Sequence, residues 1–376
     1  MNLDFTEEQE MLRTMARDLL QTECPKTLVR ELEESDLGYS PELWKKMAEL
    51  GWQGLTFPEE YGGTGMTFFE LALLVEEMGR NILPGPFIST LVCGLTILEA
   101  GSEQQKREFL PKVAAGEMIL TLALTEPSAS WKPEHISVRA VASNEEYVIN
   151  GTKLFVPDAH VADYLLVVAR TEDSTRPEEG ITVFLVDARS PGIQCEPQLT
   201  LGLDNKAEVV FKDVRVPKGN ILGELNQGWK VVQIAMTKGT ALKIAEMSGG
   251  CQASLEMANA FVKERVQYGR PIGTFQVIQH YLADVWGKTD RTTHIAWEIC
   301  WKVGAGVATP FEVAAAKAWT NEAYKWVTER CVQCHGAIGT TRDHDMGLYY
   351  RRAKVAELDY GDTDSQMEVV AQQMGL

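Results

Sequence analysis

EVVFKDVRV (residues 208–216) and, upstream of it, ITVFLVDA (residues 181–188) decide the reading of the fold. Both are short runs of Val, Ile and Phe, side chains that pack well on a pleated surface and argue for strands. Text of this kind extends from about residue 120 to residue 225. Within it, Asn150-Gly151 separates YVI from TKLFV and has the form of a tight hairpin turn, because Gly supplies positive φ at little cost. On either side the periodicity changes. Leu12, Met15 and Leu19 before the strands, and Leu255, Ala258, Phe261 and Val262 after them, recur at the spacing of one helix face. Gly and Pro clusters in PEEYGGTG (58–65) and LPGPF (83–87) mark loops between helices. The order is helices, sheet, helices, which predicts an α+β protein divided into residues 1–120, 121–227 and 228–376.

Composition narrows the function classes. At 376 residues the chain exceeds one compact domain of about 100–200 residues, and 45% hydrophobic content is enough for a buried core. A net charge of -17 with no basic stripe argues against nucleic acid as a partner. The opening MNLDFTEEQEMLRTMARDLL is acidic and amphipathic, unlike a signal peptide, and no run approaches the roughly 20 apolar residues of a membrane span. The expectation is a cytoplasmic protein. Its seven irregularly spaced cysteines then read as reduced thiols. Cys331, Cys334 and His335 form C-x-x-C-H, the spacing that attaches a c-type haem, yet that chemistry needs an oxidising compartment and the chain shows no route to one. A zinc site would need a second clustered pair, so no metal is expected. No G-x-G-x-x-G follows a strand and no G-K-[ST] loop occurs, which removes the usual warrants for Rossmann and P-loop nucleotide sites.

Several segments in register across this order resemble the acyl-CoA dehydrogenase family. ELGWQGLTFPEEYGGTG (49–65) and GSEQQKREFLPKVAAGE (101–117) are similar to its amino-terminal helical domain. ALTEP (123–127), NGTKLFVPDAHVAD (150–163) and FKDVRVPKGNILG (211–223) are similar to its middle domain, a β-barrel or sandwich. RVQYGRPIGTFQ (265–276) and QCHGAIG (333–339) are similar to its carboxy-terminal four-helix bundle. The resemblance implies an FAD-dependent oxidoreductase acting on an acyl-CoA and passing electrons to an electron-transfer flavoprotein. It implies a homotetramer built as a dimer of dimers, or a heteromer with a related subunit. Leu124 and Thr125 would meet the flavin ring, whose polar edge suits main-chain donors, and Phe155 would cover its face. Arg265, Gln267 and Tyr268 would reach the FAD of a neighbouring subunit, as would Gln333, His335 and Gly336. Arg and amide donors suit a pyrophosphate, although Arg is also favourable at any helix carboxy-terminus.

The reaction implied needs a carboxylate at the substrate α-carbon. In many relatives this is the Glu of Y-E-G-T-S-Q; here the text is DYGDTDSQ (359–366). Without a gap Tyr360 takes the Glu position; anchored on Ser365-Gln366, Asp362 does. Asp362 is the candidate base, with Asp359 and Asp364 as alternates, because a tyrosine is a poor base near neutrality. The bland reading is that the acidic cluster caps a helix beginning near Gln366. Gly239 and Thr240 stand where other relatives carry the Glu, and Thr240 replaces a common Arg. SASW (128–131) follows TEP in place of a Gly-rich stretch, while Phe155 and Pro157 stand where the family commonly has a Trp and a Thr, which implies that one hydroxyl contact to the flavin is lost or supplied elsewhere. These departures resemble an outlying subgroup acting on cyclic, dicarboxylic or steroid-side-chain acyl-CoAs. Three readings stay open: an acyl-CoA dehydrogenase or related oxidase, a partner subunit that has lost its base, and a haem electron carrier.

Overall fold

The structure, a computed structural model, describes residues 5–376, so the first four residues of the acidic opening stretch lie outside it. Among the described residues the helices α1 (Glu7–Glu23), α2 (Lys26–Glu33), α3 (Pro41–Glu49), α4 (Phe68–Asn81), α5 (Phe87–Ala100) and α6 (Glu103–Ala114) come first. The strands β1 (Leu120–Ala123), β2 (Arg139–Ser143), β3 (Glu146–Pro157), β4 (Tyr164–Arg170), β5 (Ile181–Asp187), β6 (Ile193–Gln198), β7 (Lys206–Pro217) and β8 (Ile221–Leu222) follow. Then come α7 (Gly228–Glu264), the short strands β9 (Val266–Gln267) and β10 (Arg270–Pro271), α8 (Gln276–Gly304), α9 (Pro310–His335), α10 (Asp345–Leu358) and α11 (Thr363–Gln373). This is the α+β order expected. Helix starts follow local chemistry: Thr6/Gln9, Thr67/Glu70, Ser102/Gln105 and Thr309/Glu312 each form a reciprocal capping box, satisfying amides that the first turn leaves without partners.

Two compact units result: a sheet unit (Leu32–Met66 and Pro84–Gly239) and a helical unit (Met1–Glu31, Thr67–Leu83 and Thr240–Leu376). In the sheet unit the strand order is β6-β7-β3-β2-β4-β5-β8, with β1 parallel to β4. β4 and β5 are buried almost throughout, which explains their nearly unbroken apolar text, while the exposed edge strand β6 carries Glu196 and Pro197. The Asn150-Gly151 turn is corrected here. Both residues lie inside β3, and the β2–β3 hairpin closes instead at Asn144, whose φ is 55°. Gly151 (φ 138°) sits in a bulge against β7, and a Cβ there would lie 2.8 Å from Val138 Cγ2. The positive-φ residue that the sequence offered for a turn serves a bulge, because pairing with β7 continues on both sides of it.

In the helical unit α9 packs against α8, α10 and α11, and α4 against α1 and α8. α4 also crosses α7 at a reciprocal glycine contact. A Cβ on Gly79 would lie 1.9 Å from the Glu246 carbonyl oxygen, and one on Gly249 would lie 1.9 Å from that of Glu76. The two backbones approach closely enough that only hydrogen fits at either position.

Candidate active site

The residues of the sheet unit expected to meet a flavin form one built feature. β1 ends at Ala123 and leads into Leu124-Thr125-Glu126-Pro127, which is stitched to β3 by three hydrogen bonds. Leu154 N donates to Thr125 O (2.8 Å), and Lys153 Nζ donates to Leu124 O (2.9 Å) and Glu126 Oε1 (2.7 Å). Lys153 is 0% exposed. Burial pulls its pKa down to about 8, against the opposing pull of Glu126. Burial works to raise the Glu126 carboxyl, but Lys153, the Ser137 hydroxyl and the Val138 amide outweigh it and hold the carboxyl below the ordinary range. Glu126 is therefore fully employed in fixing the loop. Two residues beyond Lys153, β3 bulges and Phe155 adopts φ 53°, a left-handed backbone that costs a bulky side chain energy. The residue is 46% exposed, and its amide donates to Gln198 Oε1 (3.1 Å).

An outward aromatic face on a strained bulge, tied to a strand-end loop, fits a planar ring laid against it, so this part of the chain fits FAD. Phe155→Gly is expected to leave the apoprotein at least as stable, since Gly adopts this φ without strain, while the purified protein retains less FAD. Flavin absorbance per chain and a thermal melt check the two halves; unchanged flavin content would remove Phe155 from the site.

The arm expected to reach a second FAD lies at one end of the helical unit. α7 stops at Glu264, and Arg265, Gln267 and Tyr268 follow, all exposed, with Tyr268 93% so. Tyr268 (φ 52°) and Gly269 (φ 79°) form the two-residue turn between β9 and β10. Gln333 is exposed, and Gly336 closes α9 with a positive φ (68°). His335 differs from these. It is buried, its Nδ1–H donates to Cys331 O (2.7 Å), and its ring meets Phe261 at 4.4 Å and His344 at 4.7 Å between centroids. Its Nε2 is buried with no hydrogen-bond partner among the described residues, and burial holds the ring below the ordinary imidazole pKa. Both C-x-x-C-H thiols are likewise buried; burial pushes both up, Cys334 to about 11. That motif packs the end of α9.

The three candidate carboxylates fall on or beside the α10–α11 loop and differ in engagement. Asp364 is exposed in the first turn of α11. Asp359 pairs with Lys243 (3.2 Å), which also pairs with Glu246 (2.6 Å). Asp362 is half-buried and caps α11, accepting from Ser365 N (2.8 Å), so the helix starts at Thr363, three residues before Gln366. Partial burial works to raise its pKa, but the Ser365 amide and hydroxyl and Lys317 outweigh it, leaving it below the ordinary aspartate range. Before it, Tyr360 (φ 58°) and Gly361 (φ 106°) are both left-handed. Thr240 donates to Tyr360 O at 3.5 Å. Sequence reasoning passed over Lys153, Lys243, Lys317 and Asn321. A signal existed for Lys317, a single charge within the apolar helical run VAAAKAW (313–319).

Comparison with known proteins places the whole chain. The sequence matches the acyl-CoA dehydrogenase N-terminal domain over residues 6–117, the middle domain over 121–214 and the C-terminal domain over 226–375. It is 32% identical to the probable acyl-CoA dehydrogenase YngJ of Bacillus subtilis, with 100% of each chain covered. Its structure is similar to butyryl-CoA dehydrogenase from Megasphaera elsdenii (TM-score 0.93, 27% identity, 100% of each chain). It is also similar to a chain of the ChsE4-ChsE5 complex from Mycobacterium tuberculosis (TM-score 0.91, 25% identity, 100% of this chain and 99% of that one). With all three family domains matched in order, the chain belongs to the acyl-CoA dehydrogenase family of FAD-dependent oxidoreductases acting on CH–CH groups.

Proposed function

We propose that the protein converts an acyl-CoA bearing a cyclic or bulky acyl group into its trans-2-enoyl-CoA, with Asp362 accepting the α-proton. The observation that carries the chemistry is the exposed, strained Phe155 beside the stitched Leu124–Pro127 loop, a surface suited to a planar redox ring. When bound, FAD supplies a two-electron acceptor for the β-hydrogen. The α-proton leaves to a carboxylate, and Asp362, ionised and half-buried, is in the protonation state a base requires. Asp359 is held by Lys243, and Asp364 faces water, so each is less suited. An electron-transfer flavoprotein then takes the electrons, and the assembly is a tetramer of like subunits.

A second reading is favoured by one observation. Asp362 is occupied as a helix cap, and Tyr360 stands immediately before Gly361, so the chain lacks the usual Glu at that position. In that case the chain is the non-catalytic half of a pair of unlike subunits, as the ChsE4-ChsE5 complex is a pairing of two chains.

Anaerobic titration of the purified protein with linear, cyclic and dicarboxylic acyl-CoAs, followed by flavin bleaching, separates the readings. Bleaching by the protein alone, strongest with cyclic substrates, supports the first; bleaching only after an unlike subunit is added supports the second. Asp362→Asn isolates the base, because Asn caps a helix as well as Asp does. It should retain FAD and the α11 helix yet slow bleaching at least about 100-fold. Undiminished reduction would exclude Asp362.

A further inference from the structure

We propose that Lys317 is a positioning residue for this reaction, holding the backbone of the α10–α11 loop (Asp359–Asp362) in the shape that faces the substrate thioester. The proposal rests on the reading that this loop carries the base.

Lys317 lies in the middle of α9, on its buried side, and is 0% exposed. Its ammonium has three N–H donors and four acceptors within reach. They are Asn321 Oδ1 (2.5 Å), Ala356 O (3.0 Å), Glu357 O (3.1 Å) and Gly361 O (3.2 Å). Ala356 and Glu357 belong to the last turn of α10, where carbonyls have no partner within the helix and where positive charge is favourable. Gly361 lies beyond that helix. One side chain therefore caps α10 and ties the loop that follows to α9.

The loop needs such a tie. Its backbone passes through two left-handed residues in succession, Tyr360 and Gly361, and a tyrosine in that region persists only where its surroundings over-determine it. The other supports are visible. Tyr360 O accepts from Gln366 Nε2 (2.9 Å) and from Thr240 Oγ1 (3.5 Å). Gly361 O also accepts from Asn321 Nδ2 (3.4 Å), and the Asp359 carboxylate is held by Lys243. Lys317 bonds to carbonyls of both α10 and the loop.

Burying an ammonium is expensive. Burial pulls the Lys317 pKa down to about 7, with the Asp359 carboxylate opposing it. A methionine would fill a similar volume without that cost, so the lysine is explained by its donors and their directions. Arginine would not replace it, because a planar fork cannot aim at acceptors distributed around a point.

The test uses the FAD-loaded protein. Lys317→Met and Asn321→Ala are compared with the parent by hydrogen–deuterium exchange of the 360–365 amides and by single-substrate kinetics. For Lys317→Met, the expectation is a rise in loop exchange of about tenfold or more, with α8 unchanged. Its kcat should fall about 100-fold with KM within a few-fold, as for a reacting group displaced by about 1 Å. Asn321→Ala should move both in the same direction by less. A folded Lys317→Met with unaltered loop exchange overturns the proposal, as does exchange rising equally in every helix of the unit. Should Lys317→Met fail to fold, Asn321→Ala decides by the same criteria. The exchange measurement reads the loop whether or not the chain turns over alone, so failure of the activity reading is distinguishable from failure of this one.

Discussion

Lys153→Met is expected to lower the denaturation midpoint sharply and to empty the flavin site. The substitution removes the ammonium while Glu126, 2% exposed, remains where it is. Breaking one partner of a buried pair costs about 3–5 kcal/mol, because the surviving charge keeps its desolvation penalty and loses its compensation. Ser137 and Val138 still donate to Glu126, which offsets part of that cost. The loop Leu124–Pro127 also loses two of its three bonds to β3, leaving only Leu154 N to Thr125 O. Flavin content should fall with it. Adding Glu126→Gln to Lys153→Met should recover part of the stability, since no uncompensated charge remains, but little of the flavin binding. A denaturant titration of the two variants and the parent checks this, and a single variant as stable as the parent would refute the account. The pair also has an acid limit. The folded pKa of Glu126 is depressed, so its contribution is present above the ordinary carboxylate range and is lost as pH falls through the folded value.

The second large effect is expected at the α4–α7 crossing. Gly249→Ala places a methyl group 1.9 Å from the Glu76 carbonyl oxygen, and the obstruction is backbone, which cannot rotate aside. Alanine gains up to about 1 kcal/mol in helix propensity over glycine. Overpacking costs about 1–3 kcal/mol and here requires two helices to separate, so the net change is a loss. Separation would also stretch the bonds from Ser248 Oγ and Trp297 Nε1 to Glu76 Oε2, each 3.1 Å long. Gly79→Ala should behave alike, and the double variant should cost less than the sum of the singles, because one separation relieves both clashes. Denaturation midpoints of the four proteins decide it. Gain of stability in either single variant would show that the helices can part freely.

Particular elements show what was legible. β4 and β5 announced themselves because both faces are covered, leaving nearly unbroken apolar text. Asn150-Gly151 misled because a turn and a bulge ask for the same residue, and only pairing with β7 distinguishes them. At the site, Asp362 was legible as both candidate base and helix cap, and the cap is visible in its bond to Ser365. Lys153 and Lys317 went unremarked because a lone lysine normally belongs to the surface. Their acceptors lie far along the chain, with Gly361 44 residues from Lys317 and Glu126 27 from Lys153.

The sequence by itself determined the helix, sheet, helix order and the run of family segments. These depend on neighbours a few residues apart, where periodicity and side-chain chemistry act directly. Only the tertiary structure decided which early helices join which unit, with α1 and α4 packing among the carboxy-terminal helices and α3, α5 and α6 with the sheet. It also decided that Phe155 stays exposed on a left-handed backbone and that two lysines are buried as clamps. Burial and hydrogen-bond pairing are settled between segments distant in sequence, and their free energy exists only once those segments have met.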